Sequence, residues 1–190
     1  MKYTKFLIMV FMANFLLLAC SKSNETATAE QNSPAQISEA VAKSSVVRDK
    51  NGWYHNWDAG IEAGRKEKKP VLVDFYADWC KWCHVMDDST FSDPKIKKIF
   101  ASDWITIRLD TQDMETMGTF KGETLTFRQM SGAFGVTGLP SYLFIDNEGE
   151  PVTIIPGYIP KEYFSIILDY FKNELYKKDV NLQEYIKSKS

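Results

Sequence analysis

The sequence predicts an α/β fold, a central mixed sheet with helices on both faces, and three features point to it. Residues 71–77 form an apolar run broken only by Asp74, the pattern of a central strand covered on both sides. Residues 141–145 and 152–155 are two more apolar segments, joined by Asp146-Asn147-Glu148-Gly149, which reads as a hairpin turn. Around these strands lie stretches with apolar residues at helical spacing, most clearly Tyr163, Phe164, Ile167, Tyr170, Phe171 and Leu175.

At 190 residues and 44% apolar content, the chain can hold one domain with a real core plus an appendage, but hardly two full domains. Taken in order, the aromatic cluster Trp53, Tyr54 and Trp57 opens an expected helix over 53–68, ending before Pro70. The strand over 71–77 follows, then a helix expected over 81–89. Asp93-Pro94 supplies a cap and a first-turn proline for a second helical stretch through Phe100. Residues 104–109 alternate and include β-branched side chains, so they read as a strand leading to Asp110. Residues 111–123 are polar, with Gly118 and Gly122, and are expected to form a loop or small hairpin ahead of a helix over 125–134. Gly138-Leu139-Pro140 is a break, and Pro160 starts the last helix. The folded domain is expected over 46–176, followed by a charged tail, 177–190, that frays or adds a short helix.

The first 19 residues read as an export signal: Lys2 and Lys5, an apolar stretch over 6–18, and small Ala19 before Cys20. That stretch falls short of the roughly 20 apolar residues a spanning helix needs. Leu17-Leu18-Ala19-Cys20 resembles a bacterial lipobox, which implies cleavage before Cys20 and lipid on its new N-terminus; an ordinary secretory signal and an uncleaved anchor are the other readings. Residues 20–45 are rich in Ser, Thr, Asn, Gln, Ala and Glu and lack aromatics, so they are expected to be a disordered tether behind the lipidated Cys20. The chain is therefore expected to be exported and lipid-anchored to a bacterial membrane, on the periplasmic or cell-surface side. Its formal net charge is −2, and loss of Lys2 and Lys5 with the signal makes the rest more acidic, which argues against nucleic acid as a partner.

With Cys20 assigned to lipid, Cys80 and Cys83 have only each other, in a compartment that permits disulfides. Cys80-Lys81-Trp82-Cys83 lies at a strand-to-helix turn, where two thiols can close into a disulfide with the first sulfur at a helix start. Helix amides and the neighbouring Lys81 favour the thiolate of Cys80, expected exposed, while Cys83 is expected shielded one turn further in. A bridge over so few residues restrains the unfolded chain little, so a purely structural staple is disfavoured. Asp74 sits among apolar residues, where burial should raise its pKa. Two rivals stand beside redox chemistry. With His84, the motif also fits C-x-x-C-H for c-type haem, against which the buried strand and the Gly-Leu-Pro segment speak. A metal carrier would draw on Cys80, Cys83, His84 and His55, with Met114, Met117 and Met130 as soft ligands that read better as loop and core. No cofactor or metal is expected.

Residues 71–83, Gly138-Leu139-Pro140 and the hairpin around Gly149 together resemble the thioredoxin fold, over about residues 53–171. Within that superfamily, residues 71–80, Thr90-Phe91-Ser92-Asp93-Pro94 and Gly138-Leu139-Pro140-Ser141 are most similar to the C-terminal periplasmic domain of the transmembrane thiol:disulfide interchange reductases. The resemblance implies an oxidoreductase that reduces or isomerises disulfides of exported proteins and is recharged by an electron donor such as a membrane thiol reductase. It also implies roles: Cys80 as nucleophile, Cys83 as resolving cysteine, Asp74 as proton relay, and Pro140 as a cis proline in the substrate loop. Lys81-Trp82 stands where ordinary thioredoxins have Gly-Pro, and residues 111–123 exceed the usual connection. Trp79 and Trp82 are expected to shape the surface around the disulfide, with Lys81 and His84 tuning the thiols.

Overall fold

The computed structural model describes residues 48–189, so the expected signal segment, Cys20 and the tether lie outside the described residues. Helix α1 (Trp57–Glu67) begins four residues later than the sequence suggests, because the Asn56 side chain caps it, accepting from the Ala59 amide at 2.9 Å. Tyr54 stays extended instead: its amide donates to Thr106 O and its carbonyl accepts from Arg108 N, both at 2.8 Å. Strand β1 (Val71–Tyr76) leads to α2 (Lys81–Met86), which widens into a π-helical turn over Asp87–Phe91 rather than continuing as regular helix to 89. Asp93 caps α3 (Pro94–Asp103), accepting from Lys95 N at 2.8 Å, and β2 (Ile105–Asp110) follows.

The polar insertion folds as a hairpin, β3 (Met117–Phe120) and β4 (Glu123–Thr126). Its two-residue turn, Lys121 and Gly122, has φ of 51° and 82°, the left-handed pair such a turn needs. Thr126 then caps α4 (Phe127–Ala133) in a capping box with Gln129, which delays this helix two residues beyond its expected start. Strands β5 (Ser141–Ile145) and β6 (Pro151–Pro156) form the second hairpin, and α5 (Lys161–Lys172) closes the expected order.

The main sheet runs β2-β1-β5-β6, with β1 parallel to β2 and antiparallel to β5, and β6 antiparallel to β5. Strand alternation sorts the core into two layers. One holds Val71, Val73, Phe75, Ile107 and Leu143 under Trp57 of α1 and Phe127 and Met130 of α4. The other holds Leu72, Tyr142 and Phe144 under Met86 and Phe91, Ile96 and Phe100 of α3, and Phe164 and Phe171 of α5. Helix α1 lies so close to β2 that a Cβ at Gly60 would stand 2.4 Å from Ile107, which explains a glycine in mid-helix.

The charged stretch after Lys177 does add a helix, α6 (Leu182–Lys189), after a 3₁₀ turn over Leu175–Lys178. Tyr176, Val180, Leu182, Tyr185 and Ile186 are partly buried against the second layer, and the Tyr170 hydroxyl donates to Val180 O at 2.6 Å. No helix among the described residues is long and apolar enough to cross a membrane.

Candidate active site

Cys80 is the N-cap residue of α2, placed there by the short loop that ends β1; its amide donates to Ala77 O at 3.0 Å. Its sulfur accepts from the Cys83 amide at 3.1 Å, a backbone donor that favours negative charge on that atom. Cys80 and Cys83 form a disulfide, with Cα atoms 5.3 Å apart. Cys80 is not exposed as its sequence position suggests. In the disulfide both residues are covered, at 3% and 2% exposure, because Ala77, Tyr76 and Leu139 pack around them.

Around this pair the expected site residues divide. Trp79 and Trp82 are largely exposed, and the Trp82 ring lies 5.6 Å from that of Tyr158. Lys81 is exposed at the first turn of α2. His84 points its Nε2 at Asp78 O, 2.7 Å away, tying the loop ahead of Cys80 to the helix. The Leu139–Pro140 peptide bond is cis, Pro140 is buried, and its carbonyl accepts from Gly157 N at 2.8 Å. Leu139 thereby meets the disulfide. Met130 is fully buried core while Met114 and Met117 are exposed, and among the described residues no group of three or more His, Cys, Asp or Glu could hold a metal ion.

Asp74 is 1% exposed and projects into the layer under α2, the same side as Leu72. Its neighbours across the sheet are Arg108 on β2 and Tyr142 on β5. Burial pushes the Asp74 carboxyl up to about 7, against the pull of the Arg108 charge and with the help of Asp87. Arg108 Nε comes within 3.1 Å of Asp74 Oδ2, yet neither carboxylate oxygen has an aligned hydrogen bond, so the contact is between charges only. The rest of the guanidinium grips Asp87, with Nη1 at 2.9 Å from Oδ1 and Nη2 at 3.0 Å from Oδ2. It also stands over the Tyr76 ring at 4.4 Å. Nothing local in the sequence marks Arg108 or Asp87, since one is a polar residue of an alternating strand and the other an acid inside the helix expected over 81–89.

The model of the thioredoxin-like domain family matches residues 57–172. The chain belongs to that family. Over 100 residues it is 33% identical to the thiol:disulfide interchange protein DsbD of Escherichia coli O6:H1 and 32% identical to the DsbD of Shigella boydii. Each match covers 51% of this chain and only 16% of the relative. A thioredoxin-fold protein from Helicobacter pylori superposes with a TM-score of 0.55 at 16% identity, over 65% of this chain and 85% of that one, a likeness of fold. The family and the Cys80–Cys83 pair together make this chain a thiol–disulfide oxidoreductase.

Proposed function

We propose that the chain reduces or isomerises disulfides of exported proteins from a lipid-tethered position, through Cys80 and Cys83. The observation that carries this reading is a disulfide capping α2, backed by a buried carboxyl whose proton affinity lies near neutrality. In the dithiol form the Cys80 thiolate attacks a substrate disulfide, one sulfur leaves as thiolate, and a mixed disulfide forms. Cys83 then gives its proton to Asp74 and attacks Cys80 Sγ, releasing the second substrate thiolate and closing the Cys80–Cys83 bond. Two electrons pass to the substrate, and a dithiol donor on the membrane returns them by the reverse exchange. Leu139 packs on the disulfide and leads into cis Pro140, a segment that would receive an extended substrate, and Trp79, Trp82, Lys81 and His84 flank the two cysteines in sequence. The lipobox-like segment ending at Cys20 and the tether to 45 support anchoring.

Trapping tests the order of attack. Cys83→Ser is expected to accumulate covalent mixed disulfides with exported proteins that a reductant releases, whereas wild type and Cys80→Ser accumulate none. Equal trapping by Cys80→Ser, or a Cys80–Cys83 bond that stays closed under every dithiol reductant, refutes the proposal.

A further inference from the structure

The charges behind the disulfide do not balance. Among the described residues, the ion pairs of Asp74 and of Asp87 both end on Arg108, so two carboxylates share one cation. The three side chains run inward from the surface, Asp87 at 35% exposure, Arg108 at 13% and Asp74 at 1%. A surface pocket of about 220 Å³, lined in part by Asn51, Trp53, Lys97, Asp87 and Arg108, opens onto the outer end. Both terminal nitrogens of Arg108 form the strong two-pronged pair with the wet carboxylate, and only Nε is left for the dry one.

We propose that Arg108 is a positioning residue of the redox site, held by Asp87 so that its guanidinium stands against both the Asp74 carboxyl and the Tyr76 ring. This rests on the redox reading above. Asp87 takes up most of the guanidinium charge, so an ionised Asp74 leaves the trio with one uncompensated negative charge at its buried end. Protonation of Asp74 makes the trio neutral. The acid is thereby kept able to take a proton from Cys83 and give it back, where a fully paired carboxylate would stay ionised. On the other side, Arg108 backs the Tyr76 ring, which itself packs on Cys80 and Cys83. Lys97 of α3 lines the outer pocket but makes no ion pair with either carboxylate, and the other titratable neighbours, Tyr142 on β5 and Tyr76 on β1, are pushed above their ordinary values by burial and stay neutral throughout the range concerned.

The test is the carbon-13 NMR titration of the Asp74 carboxyl in the oxidised protein, read beside the pH profile of Cys83-dependent release of a mixed disulfide. Arg108→Met is expected to raise the Asp74 midpoint by about 1–3 pH units, the effect of removing an opposite charge in contact. Asp87→Asn is expected to lower it, because a like charge is gone and the guanidinium is free to pair with Asp74. Arg108→Lys should fall between wild type and Arg108→Met, since one ammonium cannot grip both partners as the planar fork does. Mere loosening of the fold would move every variant toward an ordinary carboxylate, so the opposite signs identify the charge device. If Arg108→Met does not fold, Asp87→Asn and Arg108→Lys still decide the matter.

An Asp74 midpoint that ignores Arg108, or that rises in Asp87→Asn, overturns the proposal. So does a release profile that fails to follow the shifted midpoint, and in either case the redox reading survives. A wild-type protein inert toward every disulfide overturns that reading and the proposal with it, while the titration remains measurable.

Discussion

The two faces of β1 follow one alternating strand and yet do opposite things. Val71, Val73 and Phe75 point into a layer sealed by α1 and α4, where each side chain is at most 1% exposed and none of the three can carry charge. Leu72, Asp74 and Tyr76 point to the other side, where the middle residue is a carboxyl as deeply buried as Leu72. The first face is there for stability alone. The second gives some of that stability back, because a buried acid next to a shared cation is a strained way to fill a core and a useful way to hold a proton.

Substitutions on the two faces should therefore differ in sign as well as size. Phe75→Ala is expected to cost about 3–5 kcal/mol in urea unfolding at any pH, as loss of a large buried ring does. Asp74→Asn is expected to stabilise the fold by at most a few kcal/mol, and only above acid pH. The folded carboxyl has its pKa raised to about 7 against 3.8 for the free group, so the native state holds a proton that the unfolded chain has lost. Stability contributed by that proton is complete below pH 3.8 and falls away as pH rises through 7. Wild type should thus weaken across this window while Asp74→Asn does not, and parallel curves for the two proteins would break the contrast. The smallest effect is a control: Thr126→Ala removes the cap of α4 on the first face, and should cost about 1 kcal/mol while leaving the Asp74 midpoint where it was.

Much of this was legible in the chain. The uniform apolarity of 71–77 announced a strand covered on both sides, and Asp74 stood out as the one residue at odds with it. Cys80 and Cys83 were legible from their spacing together with their place at a strand-to-helix turn. Arg108 was not, because its partner lies 34 positions away in sequence and becomes its neighbour only through the parallel register of β1 on β2. An arginine in an alternating strand has the look of a solvent-facing residue until that register is known. Asp87 was hidden by the π-helical turn, which re-aims the chain after α2 and has no simple local signal. The cover over Cys80 has a partly similar origin: Leu139 reaches it from a segment distant in sequence, beside Tyr76 at the end of β1.

The helix that follows the 3₁₀ turn bears on how this protein should be handled. The matched family region stops at residue 172, a natural place to cut a recombinant fragment. Such a cut would remove Tyr176, Val180, Leu182, Tyr185 and Ile186 and bare the aromatic rings of Tyr170 and Phe171, which are 4% and 6% exposed with the full chain present. A contiguous greasy patch of that kind drives self-association, so the shortened product would precipitate or oligomerise for reasons unrelated to its sulfurs. Any preparation meant to report on thiol exchange should run through residue 189.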